Sequence, residues 1–340
     1  MNISELSNIL QKEPKFRFAQ ANKALFQDFV SSWQEVSSFP KNLREKLELE
    51  CPLEIKAEIF KDQNDRSVKA LIELLDGEKI ETVLIPQKNK DGIRNTVCIS
   101  SQVGCALACS FCASGDFGFR RQLSYLEIIE QVLLWARFLK AENSEEKIDN
   151  IVFMGMGEPF LNYNEFIKAA KFLNNEETFN FASRRLSVST AGIVEGIKKI
   201  AGEKMQINLA ISLHAADDNL RGNLMPIAKK YSIFEILKAV DNYITKSGRR
   251  VMFEYLLIKN VNDSDRDALA LAKIMKKPLY MVNLIPYNST GRFQTPSKER
   301  IEQFKKVLEN NQVAVTLRHS SGTSLFAACG QLKGRTKQDK

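Results

Sequence analysis

Three cysteines are crowded into one short segment of the sequence. Residues 105–112 read CALACSFC, so Cys105, Cys109 and Cys112 are separated by three residues and then by two. Thiolates are soft ligands that suit zinc ions or iron–sulfur clusters. A structural zinc site is normally closed by four protein ligands, whereas a four-iron cluster held by three thiolates leaves one iron open. The spacing therefore predicts an iron–sulfur cluster with an open coordination position.

Zinc stays open as an alternative at this point, because other parts of the chain contain suitable ligands. The residues that could supply a fourth ligand are Cys98, Cys329, His214 and His319. This alternative describes a basic, zinc-stabilised RNA-binding protein without catalysis. It leaves unexplained two further motifs, GMGEP at residues 155–159 and AACGQL at residues 327–332.

The other cysteines also indicate metal or redox chemistry. Four of the six cysteines lie within the fifteen residues from Cys98 to Cys112. In a reducing compartment this clustering argues against a disulfide framework. Cys51 lies far from the group, and a structural role is expected for it.

The composition indicates a globular protein whose positive net charge is compatible with a polyanionic partner. The chain has 340 residues, of which 44% are hydrophobic and 26% charged, enough for one large domain and a smaller one. The formal net charge of +8 is compatible with RNA or DNA as a partner. No run of about 18 apolar residues exists and the start lacks a secretory pattern, so a cytoplasmic protein without membrane contact is expected.

Four segments are predicted along the chain. Their boundaries are 1–60 for an N-terminal helical accessory domain, 61–94 for a small β-hairpin adapter, 95–334 for the core and 335–340 for a basic tail. In the first segment, residues 22–36 and 42–50 carry apolar side chains at helical spacing. In the second segment, two apolar runs flank Asp76-Gly77, which is a strong hairpin signal.

The core predicts an α/β fold built from a repeated unit. β-branched or apolar runs alternate with amphipathic helical patterns, which is typical of a parallel sheet covered by helices. The predicted strands are TVCIS, NIVFMGMG, RLSVST, INLAISLH, RVMFEYLLI, YMVNLIPY and VAVTLRHS. Six or seven units favour a partial (β/α)6-type barrel. In such barrels the chemistry gathers at the carboxyl ends of the strands.

Polar and reactive residues do follow these strands. The clusters are the three cysteines, GMGEP, Ser189-Thr190, Ser212 to His214, the stretch PYN ending at Asn288, and RHSSG shortly before Cys329. Because the carboxyl ends of parallel strands meet at one rim, the clusters are expected to form a single pocket.

With these motifs together, the chain resembles the radical-SAM superfamily and, within it, the RlmN/Cfr family of RNA methyltransferases. The resemblance runs from about residue 81 to residue 334. It rests on VCISSQVGCALACSFCASGDFGFRRQL, FMGMGEPFLNYNEF, RRLSVSTAGIV, LAISLHAADDNLRGNLMPI, VNLIPYN and AACGQLKG. It implies a radical-SAM barrel that methylates carbon 2 of an adenosine in 23S ribosomal RNA, with transfer RNA as a further substrate.

The resemblance also implies the cofactors and the residues that bind them. Cys105, Cys109 and Cys112 hold a [4Fe-4S] cluster, whose open iron binds S-adenosylmethionine. Gly157 and Glu158 bind the methionine portion of that cofactor, where a carboxylate can pair with the amino group. The residues expected to bind the rest of the cofactor are Ser189, Ser212, Leu213, His214 and Asn288.

Three further residues are assigned to catalysis by the same resemblance. Cys329 accepts a methyl group from one cofactor molecule, and a radical from a second molecule activates that methyl group for addition to adenine. Glu81 is the expected proton acceptor. Cys98 attacks the sulfur of Cys329 to release the methylated base, which leaves a disulfide to be reduced. A monomer served by an electron donor such as flavodoxin or ferredoxin is expected.

One stretch departs from the family pattern. The family carries an acidic residue shortly before AACGQL, whereas Thr323, Ser324 and Leu325 include no carboxylate. This difference puts the positioning of Cys329 in question. Methylation of adenine carbon 8, as in Cfr, is an alternative to carbon 2, and a radical-SAM enzyme acting on a small molecule is another.

Overall fold

The computed structural model describes residues 3–90, 92–143, 145–318 and 322–333. The predicted basic tail, residues 335–340, lies outside these ranges, as does His319. The described chain has an α/β fold in which one large sheet is covered by helices. Within the described ranges no helix has the length and apolarity needed to cross a membrane.

Twelve strands are present in the described residues. They are β1 Ala57–Lys61, β2 Val68–Glu73, β3 Lys79–Asn89, β4 Gly92–Cys98, β5 Gln102–Gly104, β6 Phe119–Gln122, β7 Ile148–Phe153, β8 Leu186–Thr190, β9 Asn208–Ser212, β10 Val251–Leu257, β11 Tyr280–Pro286 and β12 Val315–Leu317. Ten of them form one sheet in the order β1-β2-β3-β4-β7-β8-β9-β10-β11-β12, while β5 pairs with β6.

Eleven α-helices accompany the strands in the described residues. They are α1 Ile3–Leu10, α2 Phe16–Phe26, α3 Lys41–Glu50, α4 Ala113–Phe117, α5 Tyr125–Glu142, α6 Tyr163–Asn174, α7 Val194–Ile200, α8 Asp218–Leu224, α9 Ile233–Ser247, α10 Asp265–Met275 and α11 Lys298–Asn310. Capping boxes built on Ser124, Ser232 and Ser264 fix the first turns of α5, α9 and α10.

The sheet confirms the predicted barrel. The seven predicted strands are β4, β7, β8, β9, β10, β11 and β12, which pair in parallel in chain order. Helices lie between successive strands, so six β/α units are followed by a short seventh strand. The first and last strands of the ten-stranded sheet are not paired with each other, and the barrel is therefore partial.

The N-terminal part is helical, but one predicted helix is interrupted. The pattern over residues 22–36 breaks after Phe26, where α2 ends, and Phe29 takes a left-handed backbone conformation with φ of 52°. A single 3-10 turn, Trp33–Glu35, follows. Trp33 is fully buried and donates its indole N–H to the carbonyl oxygen of Cys51 at 2.7 Å.

The predicted hairpin is present, and its strands are continuous with the core sheet. β2 and β3 pair antiparallel on either side of Asp76-Gly77, as predicted. β3 continues to Asn89 and pairs antiparallel with β4, the first strand of the parallel part. Residues 61–94 thus extend the large sheet, and their separation as an adapter stays a prediction.

Candidate active site

The three-cysteine loop is shaped by close backbone contacts. It runs between β5 and α4, and its backbone turns at Ala108, whose φ is 48°. The amide of Cys112 donates to the carbonyl oxygen of Cys109 at 3.1 Å, and the amide of Cys105 donates to that of Gly118. Gly104 has φ of 74°, and an added Cβ would lie 1.6 Å from the oxygen of Gly118. Glycine is therefore required where the loop begins.

The thiols of this loop need a cation to ionise. Burial raises the pKa of Cys105 to about 12 and raises the pKa values of Cys109 and Cys112 as well. A bound metal lowers the pKa of its thiol ligands and so deprotonates them. The donor set therefore suits soft metal ions that bring their own positive charge.

The described residues contain no closed zinc site, and the candidate zinc ligand His319 lies outside them. In the described ranges, no three or more Cys, His, Asp or Glu side chains are grouped to hold a single metal ion. A structural zinc site needs such a group of four. The possible zinc ligand His214 uses its Nδ1 to accept a hydrogen bond from the amide of Leu256 at 3.1 Å.

The three thiols face a cavity of about 170 Å³ at the carboxyl ends of the parallel strands. The predicted site residues that line it are Cys105, Cys109, Cys112, Gly157, Glu158, Ser189, Ser212, His214 and Cys329. The apolar side chains that complete its wall include Leu107, Phe111 and Leu256. The sequence clusters expected at one rim are thus brought into one pocket.

Glu158 is the buried carboxylate of this cavity. Its Oε2 accepts a hydrogen bond from the amide of Ala191 at 2.7 Å, and its Oε1 accepts one from the amide of Phe160 at 3.0 Å. Burial raises the pKa of Glu158 to about 7, against the lowering effect of these backbone donors. The preceding Gly157 has φ of 97° and packs against Gln102, which leaves no room for a side chain.

The raised pKa of Glu158 predicts a pH dependence of cofactor binding. Below pH 7 the carboxyl is largely protonated, so it must lose its proton to pair with an amino group. We expect the affinity for S-adenosylmethionine to rise about tenfold per pH unit from pH 5.5 to 6.5 and to level off near 7. Equilibrium binding measurements across this range test the slope.

The ring of His214, which lines the same cavity, does not obscure this test. Burial lowers the pKa of His214 to about 3, so its ring stays neutral in this range. Replacing Glu158 by glutamine should abolish the slope, and an equal slope in Glu158→Gln would refute the assignment.

The contribution of Glu158 to the stability of the fold changes with pH in the opposite direction to that of a typical glutamate. A folded pKa of about 7 means that the contribution of Glu158 is full below pH 4.5 and is lost as pH rises through 7.

The remaining predicted cofactor ligands differ in their surroundings. Ser189 and Ser212 lie side by side, with their hydroxyl oxygens 3.2 Å apart. His214 has a left-handed backbone with φ of 59°, and its ring stands edge-to-face against Phe111. The side chain of Leu213 is fully buried in the main core, so only its backbone is available to a ligand.

A second, smaller cavity adjoins the first and is lined by two predicted residues that the first lacks, Cys98 and Asn288. Cys98, Cys112, Asn288, Arg318 and Cys329 all line it. Asn288 donates its side-chain amide to the carbonyl oxygen of Cys329 at 3.2 Å, so it contacts the loop that carries this cysteine. Asn288 does not line the larger cavity.

The loop that carries Cys329 is fastened against the three-cysteine loop. The amide of Ala113, directly after Cys112, donates to the carbonyl oxygen of Gly330 at 2.7 Å. The hydroxyl of Ser114 donates to the carbonyl oxygen of Leu332, also at 2.7 Å. These bonds join segments more than 200 residues apart and place a further thiol beside the three clustered ones.

Cys98 ends β4 and is buried next to the same loop. It packs with Met156, Ala327 and Leu332 in a small apolar cluster. Burial, together with the nearby Cys329, raises the pKa of Cys98 to about 12. Neither thiol forms a disulfide, so the predicted disulfide between Cys98 and Cys329 is absent from this structure.

Glu81 lies on β3 behind the Cys329 loop. Its Oε2 accepts a hydrogen bond from the amide of Lys333 at 2.7 Å, and its Oε1 pairs with the ammonium of Lys69 at 2.8 Å. The side chain is 1% exposed and lines neither cavity. The structure therefore brings Glu81 to the loop of Cys329 but leaves its carboxylate fully engaged.

The missing acidic residue before AACGQL is replaced by carboxylates from elsewhere in the chain. Asp62, in the loop between β1 and β2, accepts a hydrogen bond from the hydroxyl of Ser324 at 2.6 Å. Asp65 accepts one from the amide of Gly322 at 2.9 Å. Ser324 thus acts as a hydrogen-bond donor, and the accepting carboxylates of Asp62 and Asp65 belong to a loop more than 250 residues earlier in the chain.

Removal of the Asp62 carboxylate is expected to loosen the Cys329 loop. Of the three hydrogen bonds that this carboxylate accepts, the one from Ser324 reaches the Cys329 loop. Its loss costs about 1 kcal/mol, which corresponds to roughly fivefold faster local opening. In Asp62→Ala, hydrogen exchange of the amides of residues 324–329 should accelerate by about this factor. Asp28→Ala, which removes an exposed carboxylate from the N-terminal part, is the matched control. Equal exchange in both variants would show that Asp62 does not hold the loop.

Three important residues were not singled out from the sequence. Arg221 is fully buried and binds four backbone carbonyl oxygens. Glu254 lines the larger cavity, and Arg318 lines both cavities. A signal for Glu254 did exist, since a charged residue in the apolar run RVMFEYLLI conflicts with a buried strand.

Comparison with known proteins finds RNA methyltransferases that are similar to this chain over most of its length. The chain is 44% identical over 332 residues to the "Probable dual-specificity RNA methyltransferase RlmN" of Syntrophomonas wolfei, covering 95% of this chain and 92% of the relative. It is 40% identical over 326 residues to the "Ribosomal RNA large subunit methyltransferase N" of Nitrosopumilus maritimus, covering 94% and 92%.

A structural relative and a family model point to the same group. A crystal structure of a radical SAM methyltransferase from Sphaerobacter thermophilus superposes with a TM-score of 0.91 at 39% identity, covering 98% of each chain. Residues 99–272 match the radical SAM superfamily, which implies a [4Fe-4S] cluster and S-adenosylmethionine as cofactors. The chain is an S-adenosylmethionine-dependent enzyme and belongs to the RlmN family of radical SAM RNA methyltransferases.

Proposed function

We propose that this protein methylates carbon 2 of an adenosine in 23S ribosomal RNA, and in transfer RNA, through a methyl group carried on Cys329. The observation that carries the proposal is the fastening of the Cys329 loop to the three-cysteine loop. Because of these bonds the thiol of Cys329 lines both cavities, and it shares the smaller cavity with the second thiol, that of Cys98. Adenine carbons are poor nucleophiles, so a carrier of this kind explains why a cysteine stands here.

The residues of the larger cavity fit the cofactors of the superfamily. Cys105, Cys109 and Cys112 would hold the cluster, and Gly157 and Glu158 would receive the methionine portion of S-adenosylmethionine. A buried carboxylate with a raised pKa is stabilised by a cationic amino group brought next to it. When bound, these cofactors supply the methyl group and the radical chemistry that activates it.

Release of the product requires the Cys98 thiolate to react with the thioether sulfur that Cys329 forms with the adenine-bound carbon. Cys98 attacks the sulfur of Cys329, and an S–S bond forms as the bond between that sulfur and the adenine-bound carbon breaks. The electron pair remains with the carbon, which takes up a proton and becomes the methyl group. The two cysteines are oxidised to a disulfide, which a dithiol reductant must reduce before the next turnover.

Glu81 is proposed as the group that accepts the proton from adenine. Its carboxylate would become available once the amide of Lys333 leaves it, a change confined to the end of the Cys329 loop. Lys69 would remain paired with the carboxylate. Glu81 thus links movement of the loop to proton transfer.

The proposal also includes a cytoplasmic location, an electron donor and contact with RNA. Reduction of the disulfide in each cycle suits the cytoplasm, and the cluster needs an electron donor such as flavodoxin or ferredoxin. The net charge of +8 favours contact with RNA phosphates. A target adenine in folded RNA must leave its stack to reach a buried thiol. We infer that the protein acts as a monomer.

Nucleoside mass spectrometry tests the proposed function. The protein is reconstituted anaerobically with iron and sulfide and given S-adenosylmethionine, a reductant and unmodified 23S ribosomal RNA or transfer RNA. We expect 2-methyladenosine in both digests, identified against standards of 2-methyladenosine and 8-methyladenosine. A product at carbon 8 would overturn the choice of carbon. No methylated adenosine from either RNA, with a loaded cluster, would contradict the proposal.

A further inference from the structure

Arg318 stands in the wall between the two cavities. It follows β12 directly, and its amide donates to the carbonyl oxygen of Leu284 at 2.9 Å, which fixes the end of the strand. The residue lines the larger cavity and also the smaller one. Among the described residues around the larger cavity, Arg318 alone carries a permanent positive charge.

A row of polar side chains leads to this residue across three strands. Glu254 on β10 is opposite Asn283 on β11, and Asn283 is opposite Thr316 on β12. The hydroxyl of Thr316 donates to Oδ1 of Asn283 at 2.9 Å, and Nδ2 of Asn283 donates to Oε2 of Glu254 at 2.8 Å. Both polar atoms of the Asn283 side chain are thereby hydrogen-bonded, Oδ1 to Thr316 and Nδ2 to Glu254.

The row ends on a buried carboxylate oxygen that lacks a hydrogen-bond partner. Glu254 is 4% exposed, and its Oε1 makes no hydrogen bond in the structure. Burial raises the pKa of Glu254, and the positive charge of Arg318 opposes this shift. Arg318 comes two residues after Thr316, so an extended chain turns both side chains to the same side. Glu254 is thus a buried carboxyl group whose charge interacts with that of Arg318.

The other neighbours of Arg318 are the two sulfur atoms. Cys98 and Cys329 line the smaller cavity together with it, in surroundings that are otherwise largely apolar. Negative charge on a sulfur atom is unfavourable in such surroundings unless a cation lies nearby. A guanidinium suits this task because it stays charged and spreads its charge over a rigid plane.

We propose that Arg318 is a positioning residue for the sulfur pair of Cys98 and Cys329. Its guanidinium, oriented by Glu254 at the end of the row through Asn283 and Thr316, stabilises the negative charge as the Cys98 sulfur approaches Cys329. Arg318 neither gives nor takes a proton. The inference rests on the proposed function, because that proposal assigns product release to these two thiols.

The test separates the loading of Cys329 from the release of the product. Full-length reconstituted Arg318→Gln and Arg318→Lys are compared with the unaltered protein. Mass spectrometry of the protein gives the fraction of methylated Cys329 before RNA is added. Single-turnover gels then give the amount of protein covalently joined to RNA over time, at several pH values.

A distinct pattern is expected for each variant. Arg318→Gln should load Cys329 within about twofold of the unaltered protein yet release product at least tenfold more slowly, so that the covalent complex accumulates. Its release rate should need a higher pH, because the sulfur has lost its cation. Arg318→Lys should recover most of the rate. Glu254→Gln should show the same accumulation to a smaller extent, and Arg300→Gln, on α11, is the matched loss of charge elsewhere.

Several results would overturn the inference. Release in Arg318→Gln at the rate seen in Arg300→Gln would show that the charge is not used. Loss of Cys329 methylation in both Arg318 variants would place the residue's action in the larger cavity instead. RNA methylation by the unaltered protein without any methyl group on Cys329 would overturn the proposed function and this inference together. The first two results would leave the proposed function standing.

Discussion

Replacing Cys329 by alanine is expected to abolish RNA methylation while leaving the iron content of the protein unchanged. The carrier sulfur is lost, so activity should fall by roughly 10³-fold or more. The cluster should persist, because its three proposed ligands lie on a different loop. Iron analysis, visible absorption and nucleoside mass spectrometry on the same preparation measure both effects.

Cys98→Ala separates the role of this second thiol from cluster binding. It should also stop turnover, yet Cys329 should still be methylated and the protein should remain attached to RNA. Cys51→Ala is the control, because Cys51 is fully buried in the N-terminal part of the core, away from both cavities. Loss of iron in either Cys98→Ala or Cys329→Ala would contradict the assignment and would favour a fourth-ligand role for that cysteine.

Arg221→Met is expected to cause the largest loss of stability among the substitutions considered. The guanidinium donates to the carbonyl oxygens of Ala191 at 2.6 Å, Leu213 at 3.1 Å, Ser212 at 3.3 Å and Tyr231 at 3.3 Å. Burial lowers its pKa to about 10, so it stays charged at neutral pH. Its removal leaves buried carbonyl groups without donors, and the free energy of unfolding should fall by about 3 to 5 kcal/mol.

Denaturant unfolding of the variant and the unaltered protein measures this loss. Arg221→Lys keeps the charge but offers only one donor group, so an intermediate loss is expected. Three of the carbonyl groups that Arg221 holds belong to Ala191 after β8 and to Ser212 and Leu213 at the end of β9, where Ser212 and His214 line the larger cavity. A decrease of less than 1 kcal/mol in Arg221→Met would show that this clamp does not stabilise the fold.

The repeated unit of the core could be predicted because its signals are local. Each strand after the cysteine loop carries a β-branched or apolar run, and the helices show apolar spacing, with a serine cap at the start of α5, α9, α10 and α11. The grouping of the polar clusters at one rim could also be predicted, because each cluster directly follows a strand in the sequence. The predicted helix over residues 22–36 was wrong at Phe29, since nothing in the apolar spacing reports a left-handed backbone.

Long-range pairings could not be predicted in the same way. The contacts of Asp62 with Ser324 and of Asp65 with Gly322 join loops from opposite ends of the chain. The row of Thr316, Asn283 and Glu254 depends on the register of three strands, which a single sequence does not specify. The sequence shows which polar residues lie in apolar strands, but it does not show which residues they contact.

The most direct test of the central claim follows one methyl group. The reconstituted protein is first loaded with S-adenosylmethionine that carries a CD3 methyl group, freed of unbound cofactor, and then given RNA with unlabelled S-adenosylmethionine. If Cys329 carries the methyl group, the first-turnover methyladenosine contains two deuterium atoms and one hydrogen. A first-turnover product with an unlabelled methyl group would show that the methyl group does not pass through Cys329.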